Sequence, residues 1–277
     1  MKYVEIYNKY AQLLTDRGFL DAKSDVLLLI YEIFGLDFSK WTLQKYDEIK
    51  EKTKIDLLHQ CIEKRLENMP VQYILNKAYF CGMPFFVDEN VLIPRFDTEI
   101  LVEEVISLAG GNKNLKILDV CTGSGAIAIA LKKLGGFIEV DALDISENAV
   151  KIAKKNAKIL GCDINIFKSD MFSNLTSENK YDIIVSNPPY VKSRVIKTLD
   201  KEVRDFEPEL ALDGGSDGMK FYNIIEKNFA KHLNTEGILL MEIGFDQGDD
   251  IRNIFKNYKT IIKKDLSNLD RVAIVKI

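Results

Sequence analysis

The tetrapeptide Asn187-Pro188-Pro189-Tyr190 closes the apolar run Tyr181-Asp182-Ile183-Ile184-Val185-Ser186. Two successive prolines cannot extend a strand ladder, and they leave carbonyls without accompanying N–H donors. The motif is therefore a rigid corner rich in acceptors. The side-chain oxygen of Asn187 and the carbonyl of Pro188 together suit the two hydrogens of a planar NH2, whether an amide or an aromatic exocyclic amine. Such a nitrogen has a delocalised lone pair and is a poor nucleophile. Held in this way it is aimed at an electrophile such as a methyl group on sulfonium, and orientation and polarisation supply the catalysis. Tyr190 is expected to stack on the flat group. No titratable base is required, because the nitrogen sheds a proton easily once methylated and cationic. The plain alternative is a proline corner that only ends a strand.

A second cluster lies upstream, where Ile117-Leu118-Asp119-Val120 runs into Cys121-Thr122-Gly123-Ser124-Gly125 and then a helix. Open α/β sheets bind ligands at such a glycine turn, at the carboxyl end of a strand. Glycine lets backbone approach a ligand closely, and the first turn of the helix offers unpaired amides to oxygen atoms. The next strand ends at Asp144, 19 residues after Gly125 (144 minus 125), where a carboxylate accepts both hydroxyls of a ribose. Gly123-x-Gly125-x-x-Ala128 also fits the relaxed dinucleotide fingerprint, so the loop alone separates neither NAD from S-adenosylmethionine nor binding from catalysis. After the third strand, Asp170 with Met171 or Phe172 is placed to meet an adenine edge or face, although an acid there is often only a turn residue.

The elements that carry these residues are read from hydrophobic periodicity. Strands are expected at Lys116–Val120, Ile138–Leu143, Ile164–Phe167, Tyr181–Ser186, Gly237–Ile243, Thr260–Lys263 and Arg271–Ile277. Helices are expected at Thr98–Leu108, Ala126–Leu134, Glu147–Leu160, Gly218–Leu233 and Gln247–Phe255. The alternation predicts an α/β fold, a Rossmann-like seven-stranded sandwich, with the last two strands an antiparallel pair at one edge. Before it, residues 1–75 place apolar side chains at helical spacing and predict a small bundle; residues 76–96 read as a connecting β-hairpin with extended runs at 78–80, 85–87 and 91–93, and residues 97–277 as the catalytic domain.

Composition narrows the partners. The chain has 277 residues, 47% of them hydrophobic and 29% charged, as in an ordinary globular protein. Its net charge of -4 lacks the basic field that draws proteins onto polyanions, so no nucleic-acid partner is expected. Lys151 to Lys158 reads as a solvated helix face. The run Val26 to Tyr31 is too short to span a bilayer, and a cytoplasmic protein with no membrane partner is expected. Cys61, Cys81, Cys121 and Cys162 form no C-x-x-C pair and the only histidines are His59 and His232, so no metal site is expected.

Nearly end to end, the chain resembles the bacterial release-factor glutamine methyltransferases. The likeness runs through the glycine loop and Asn187 to Tyr190, and through Pro70-Val71-Gln72-Tyr73-Ile74, Val91-Leu92-Ile93-Pro94-Arg95 and Thr98-Glu99. It continues in Glu207-Pro208, Ala211-Leu212-Asp213-Gly214-Gly215, Asp217-Gly218, Glu242-Ile243-Gly244 and Asp265 to Val272. The resemblance implies an N-terminal helical domain that helps dock the release factor, a hairpin connector and a seven-stranded methyltransferase domain. It also implies S-adenosyl-L-methionine as methyl donor and, as substrate, the glutamine of the Gly-Gly-Gln tip of class 1 release factors, methylated on N5. The site residues it implies are Cys121 to Gly125, Asp144, Asp170, Met171 and Asn187 for the donor and Asn187 to Tyr190 for catalysis. Departures are Cys121 and Asn76 where the family usually has glycine, Phe96-Asp97 for a Pro-Glu pair, and Met171 for a frequent tryptophan. The stretch Arg95 to Glu99 is left open between an ion pair with helix capping and a part in shaping the site.

Competing readings are a glutamine methyltransferase acting on a ribosomal protein, a nucleic-acid adenine or guanine amino methyltransferase, and a binding module without catalysis. The second would need base flipping and a phosphate-binding face. The third leaves the Asn187 corner without a purpose.

Overall fold

The chain alternates strand and helix from Lys116 onward, and the computed structural model, which describes residues 1–277, resolves that alternation into one mixed sheet. In chain order the strands are β1 (Ala78–Phe80), β2 (Met83–Phe85), β3 (Lys116–Val120), β4 (Glu139–Asp144), β5 (Asn165–Lys168), β6 (Tyr181–Ser186), β7 (Leu233–Glu242), β8 (Lys259–Lys264) and β9 (Asp270–Lys276). The last seven form a sheet of order β5-β4-β3-β6-β7-β9-β8, parallel except for β9, which runs antiparallel to both neighbours. The expected edge pair therefore exists, but β9 is inserted beside β7 and β8 takes the edge. Burial explains the order. Val272, Ala273, Ile274 and Val275 are all buried and need cover on both faces. By contrast, Lys259, Lys263 and Lys264 of β8 are exposed, as suits an edge that must resist pairing with other chains.

Successive residues of the inner strands enter different cores, as the two-residue period requires. Ile117, Ile183, Val185, Leu240 and Ile274 pack on one side with the helices Glu99–Ala109, Ala126–Ala130 and Glu147–Ile159. Leu118, Ile184, Leu239, Met241 and Ala273 pack on the other with the helices Lys220–His232 and Gly248–Ile254. The result is a three-layer Rossmann-like sandwich.

The hairpin differs from expectation in its second arm. Residues Cys81 (φ 48°) and Gly82 (φ 72°) make a two-residue turn with both φ positive, so Phe80 pairs with Met83 and the arm is β2 rather than 85–87. Val87, Val91 and Ile93 are buried without strand pairing; their alternation reflects burial of an irregular segment.

Contacts divide the chain into two units, Met1–Lys77 with Lys201–Phe206, and Ala78–Asp200 with Glu207–Ile277. The first holds the helices Tyr3–Asp16, Ala22–Phe34, Phe38–Gln44, Lys52–Leu66 and Val71–Leu75, around Ile6, Leu14, Val26, Leu29, Leu58 and Ile62, together with the short helix Lys201–Arg204. Its buried Arg65 bonds Asp25 at 2.7 Å and Glu202 at 2.8 Å, which ties in the distant segment 201–206. The hairpin groups with the second unit because Phe80 and Phe85 are fully buried in that core. No helix is long and apolar enough to cross a membrane.

Candidate active site

Strand register aligns the chemistry. Val120 is level with Leu143 and Ser186, and Ser186 with Met241. One residue further on, the carboxyl ends of β3, β4, β6 and β7 present Cys121, Asp144, Asn187 and Glu242 in a row, the edge at which open parallel sheets bind ligands. A cavity of about 390 Å³ opens there. Its wall includes Cys121, Thr122, Gly123, Ser124, Asp144, Asp170, Met171, Asn187 and Pro189 from the residues singled out in the sequence.

The glycine turn is held by carboxylates. Asp144 accepts the Gly123 N–H and the Ser146 N–H, one on each oxygen, both at 2.9 Å. Burial pushes its pKa up, and these amides, with that of Ile145, oppose the shift. Each oxygen retains lone-pair capacity for a further donor. Asp119, fully buried, accepts the Thr122 hydroxyl at 2.6 Å and the Ala128 N–H at 3.2 Å through one oxygen, while its other oxygen has no partner. Burial raises its pKa to about 7, with Asp144 adding repulsion. Asn156, on the helix Glu147–Ile159, bonds Phe86 N–H and carbonyl and the Ser124 carbonyl, so one buried amide fixes both the post-hairpin segment and the turn. Cys121 has φ 63°, the left-handed conformation that explains glycine as the residue usual in the resembling family. Its thiol donates to the sulfur of Met171 at 3.7 Å.

The proline corner is organised by a residue that sequence reading gave no role. Glu242, 2% exposed, accepts the Thr98 hydroxyl at 2.6 Å, the Asn187 side-chain N–H at 2.9 Å and the Tyr190 hydroxyl at 3.1 Å. The Asn187 NH2 also reaches the Thr98 oxygen at 3.2 Å. A carboxylate only accepts, so the NH2 of Asn187 must face it and the amide oxygen must face away. Burial raises the pKa of Glu242, and the bonds from Thr98 and Tyr190 and the positive field of Arg271 pull it back.

Several expected residues stand elsewhere. Gly125 is off the wall: a Cβ there would lie 3.1 Å from the Ala153 Cβ, so its hydrogen serves helix packing. Pro188 is buried behind the wall, and no N–H of the chain bonds its carbonyl. The expectation that Tyr190 stacks on a planar ligand needs correction. Tyr190 is not on the wall; its hydroxyl is held by Glu242 and its carbonyl accepts from Gln247 at 3.0 Å. Phe172 stacks on His232 at 5.6 Å, which leaves Met171 as the wall residue of that pair. Arg95 lines the cavity and donates to Glu207, while Thr98 buttresses Asn187, so the 95–99 stretch combines ion pairing with shaping of the site. Thr98, Asn156 and Glu242 were missed because their partners lie 89, 70 and 55 residues away. Only the presence of Thr98 and Glu242 within the resembling motifs hinted at them. No cluster of three or more His, Cys, Asp or Glu is arranged to hold a metal.

The sheet order, with the glycine turn after β3 and the corner after β6, is the Rossmann-like fold of class I methyltransferases. A methyltransferase crystal structure from Pyrococcus furiosus shares this fold, with a TM-score of 0.54 at 16% identity over 71% of this chain and 90% of that one. Residues 95–205 match the methyltransferase small domain and residues 5–75 the PrmC N-terminal domain. The release factor glutamine methyltransferase of Fusobacterium nucleatum is 37% identical over 99% of this chain and 78% of its own length. That of Thermodesulfovibrio yellowstonii is 39% identical over 84% and 86%. The chain belongs to the release factor glutamine methyltransferase family.

Proposed function

We propose that this enzyme transfers a methyl group from S-adenosylmethionine to the side-chain nitrogen, N5, of the glutamine in the Gly-Gly-Gln loop of class 1 peptide chain release factors. Family membership supports the substrate. The observation that carries the chemistry is the Asn187 amide, turned by Glu242 so that its oxygen is free to accept. When bound, the donor supplies a methyl group on a positively charged sulfur. The cavity fits such a group: a Cβ at Gly123 would meet no protein atom within 4 Å, leaving backbone open to close approach, and Asp144 stands beside the turn to accept ribose hydroxyls. Thr122 and Ser124 flank that approach, and Met171 and Asp170 form the wall assigned to adenine.

In the transfer, Asn187 accepts one hydrogen of the glutamine NH2, which draws electron density toward nitrogen and fixes its direction; the Pro188 carbonyl, to which no N–H of the chain bonds although Pro188 does not line the ligand-free cavity, is assigned the other once the amide is seated in the corner. The new N–C bond forms as the S–C bond breaks, the electron pair stays on sulfur, and nitrogen releases one proton to solvent. Pro189 stiffens the corner, and Tyr190 braces Glu242. The N-terminal unit, the 1–75 region of the sequence reading, is assigned to docking of the release factor, since the larger unit already holds every residue the chemistry uses.

The test is Asn187→Ala. Donor affinity should stay within about threefold while single-turnover methylation falls by about two orders of magnitude or more, the size associated with loss of a transition-state hydrogen-bond partner. A folded variant that keeps most of its rate contradicts the assignment.

A further inference from the structure

We infer that Glu242 and Thr98 form a polarity lock on Asn187, a positioning device that makes the site select an amide over a carboxylate at the substrate position. This rests on the assignment of Asn187 as the acceptor for the substrate NH2. An asparagine amide offers an acceptor and a donor of nearly the same shape, and a flip of the side chain exchanges them. Unflipped, it accepts from glutamine; flipped, it would present NH2 and welcome the oxygen of a glutamate. The two states therefore have opposite selectivity, and the surroundings must choose between them.

Everything around the inner edge of Asn187 chooses one. The Glu242 oxygen that takes the Asn187 N–H at 2.9 Å also takes the Thr98 hydroxyl at 2.6 Å. The Thr98 proton is thereby committed, so its oxygen can only accept from Asn187, at 3.2 Å. The second Glu242 oxygen takes the Tyr190 hydroxyl at 3.1 Å. A flip would set the Asn187 oxygen against two acceptors in a buried place, a cost of the order of a lost charge-assisted bond plus an unsatisfied group. The lock requires an ionised Glu242. Its charged neighbours are Arg271, which favours that state, and Asp97, which opposes it; Tyr190 and Thr98 donate to it. Arg271 is itself fixed by Asp265 at 2.9 Å and Asp97 at 3.1 Å. The geometry also arises from register: parallel pairing of β6 with β7 sets Asn187 beside Glu242, and Thr98 caps the gap at the start of the helix Glu99–Ala109.

The decisive comparison is Glu242→Gln, which keeps shape but replaces an acceptor-only carboxylate with an amide that can turn either its NH2 or its oxygen toward Asn187, so that one orientation of Asn187 is no longer imposed. With purified release factor, kcat should fall at least tenfold with donor affinity within threefold of wild type. The ratio of dissociation constants for the release factor carrying glutamine and the one carrying glutamate should narrow at least fivefold. A purely structural role for Glu242 moves stability or donor binding but not that ratio. The exchanged pair Asn187→Asp with Glu242→Gln restores one donor facing one acceptor, and should recover at least tenfold of the rate lost by Glu242→Gln alone. Thr98→Val leaves the carboxylate in place and reads the same lock if Glu242→Gln does not fold; its kcat should fall at least threefold with donor binding retained. An unchanged selectivity ratio in Glu242→Gln, or, where that variant does not fold, full kcat in Thr98→Val, overturns the lock. If instead Asn187→Ala keeps its rate, the underlying acceptor assignment fails, a separate result from the same assay.

Discussion

Alanine at Gly123 and alanine at Gly125 are the same chemical change two residues apart in one loop, yet the structure predicts opposite consequences. Both glycines lie in the left-handed region, with φ 55° and 82°, where a side chain costs about 1–2 kcal/mol. At Gly125 the new methyl would stand 3.1 Å from the Ala153 Cβ, 3.2 Å from the Ile129 Cδ1 and 3.3 Å from the Ala153 Cα, all in packed helices. Overpacking of this kind adds about 1–3 kcal/mol, so Gly125→Ala should lose about 2–5 kcal/mol of stability. At Gly123 nothing lies within 4 Å, and only the backbone cost of about 1–2 kcal/mol remains. Its methyl instead occupies space assigned to the methyl donor, and affinity for S-adenosylmethionine should fall about tenfold or more, equivalent to about 1.4 kcal/mol. Urea unfolding of the ligand-free proteins, compared at equal m, reads the first effect and calorimetric titration the second. A Gly125→Ala variant less than about 1 kcal/mol below wild type would refute the packing argument. Unchanged donor affinity in Gly123→Ala would refute the placement of the donor against the turn.

Two further outcomes follow from the carboxylates of the loop. Asp144→Ala removes an acceptor that holds the Gly123 and Ser146 amides and is assigned to the ribose, so donor binding should weaken by about 1–3 kcal/mol while the fold survives; calorimetry giving unchanged affinity would exclude the ribose role. Asp119 has a folded-state pKa raised from 3.8 to about 7, so between those values the native protein holds a proton that the unfolded chain releases. Its contribution to stability is then present in acid and lost as pH rises from about 4 to about 7. Asp119→Asn should differ from wild type by a stability offset that changes across that window and is flat above it; a constant offset in pH-dependent unfolding would contradict the raised pKa.

What the sequence made legible, and what it hid, divides along chain distance. The glycine turn, Asp144 and the Asn187 corner are local: each is a few residues whose types dictate a conformation. The strands of the large sheet are readable as short apolar runs between turn signals, and their ends differ from expectation by at most one residue, except at the start of β7. The identity of Asn187's anchor was not readable, because it depends on β6 and β7 being parallel neighbours with Ser186 opposite Met241, and register is a tertiary quantity. The same holds for Asn156, a buried amide on an otherwise amphipathic helix, and for β9, whose apolar run fits an interior strand but whose neighbours are set by topology. Tyr190 was misplaced for a related reason. An aromatic ring beside a ligand corner invites a stacking role, and only the tertiary structure shows Tyr190 off the cavity wall, with its hydroxyl held by Glu242.

The activity assigned to this chain is methylation of the glutamine amide of a release factor. Purified enzyme, labelled S-adenosylmethionine and a class 1 release factor, followed by fragment mass spectrometry of the Gly-Gly-Gln peptide, test it in one reaction. A single added methyl is expected on the glutamine side-chain nitrogen and none when that residue is glutamate, whose negative oxygen would face two acceptors in a desolvated site. A methyl group found at another residue of the release factor, or a release factor left unmodified by an enzyme that binds the donor, would contradict it.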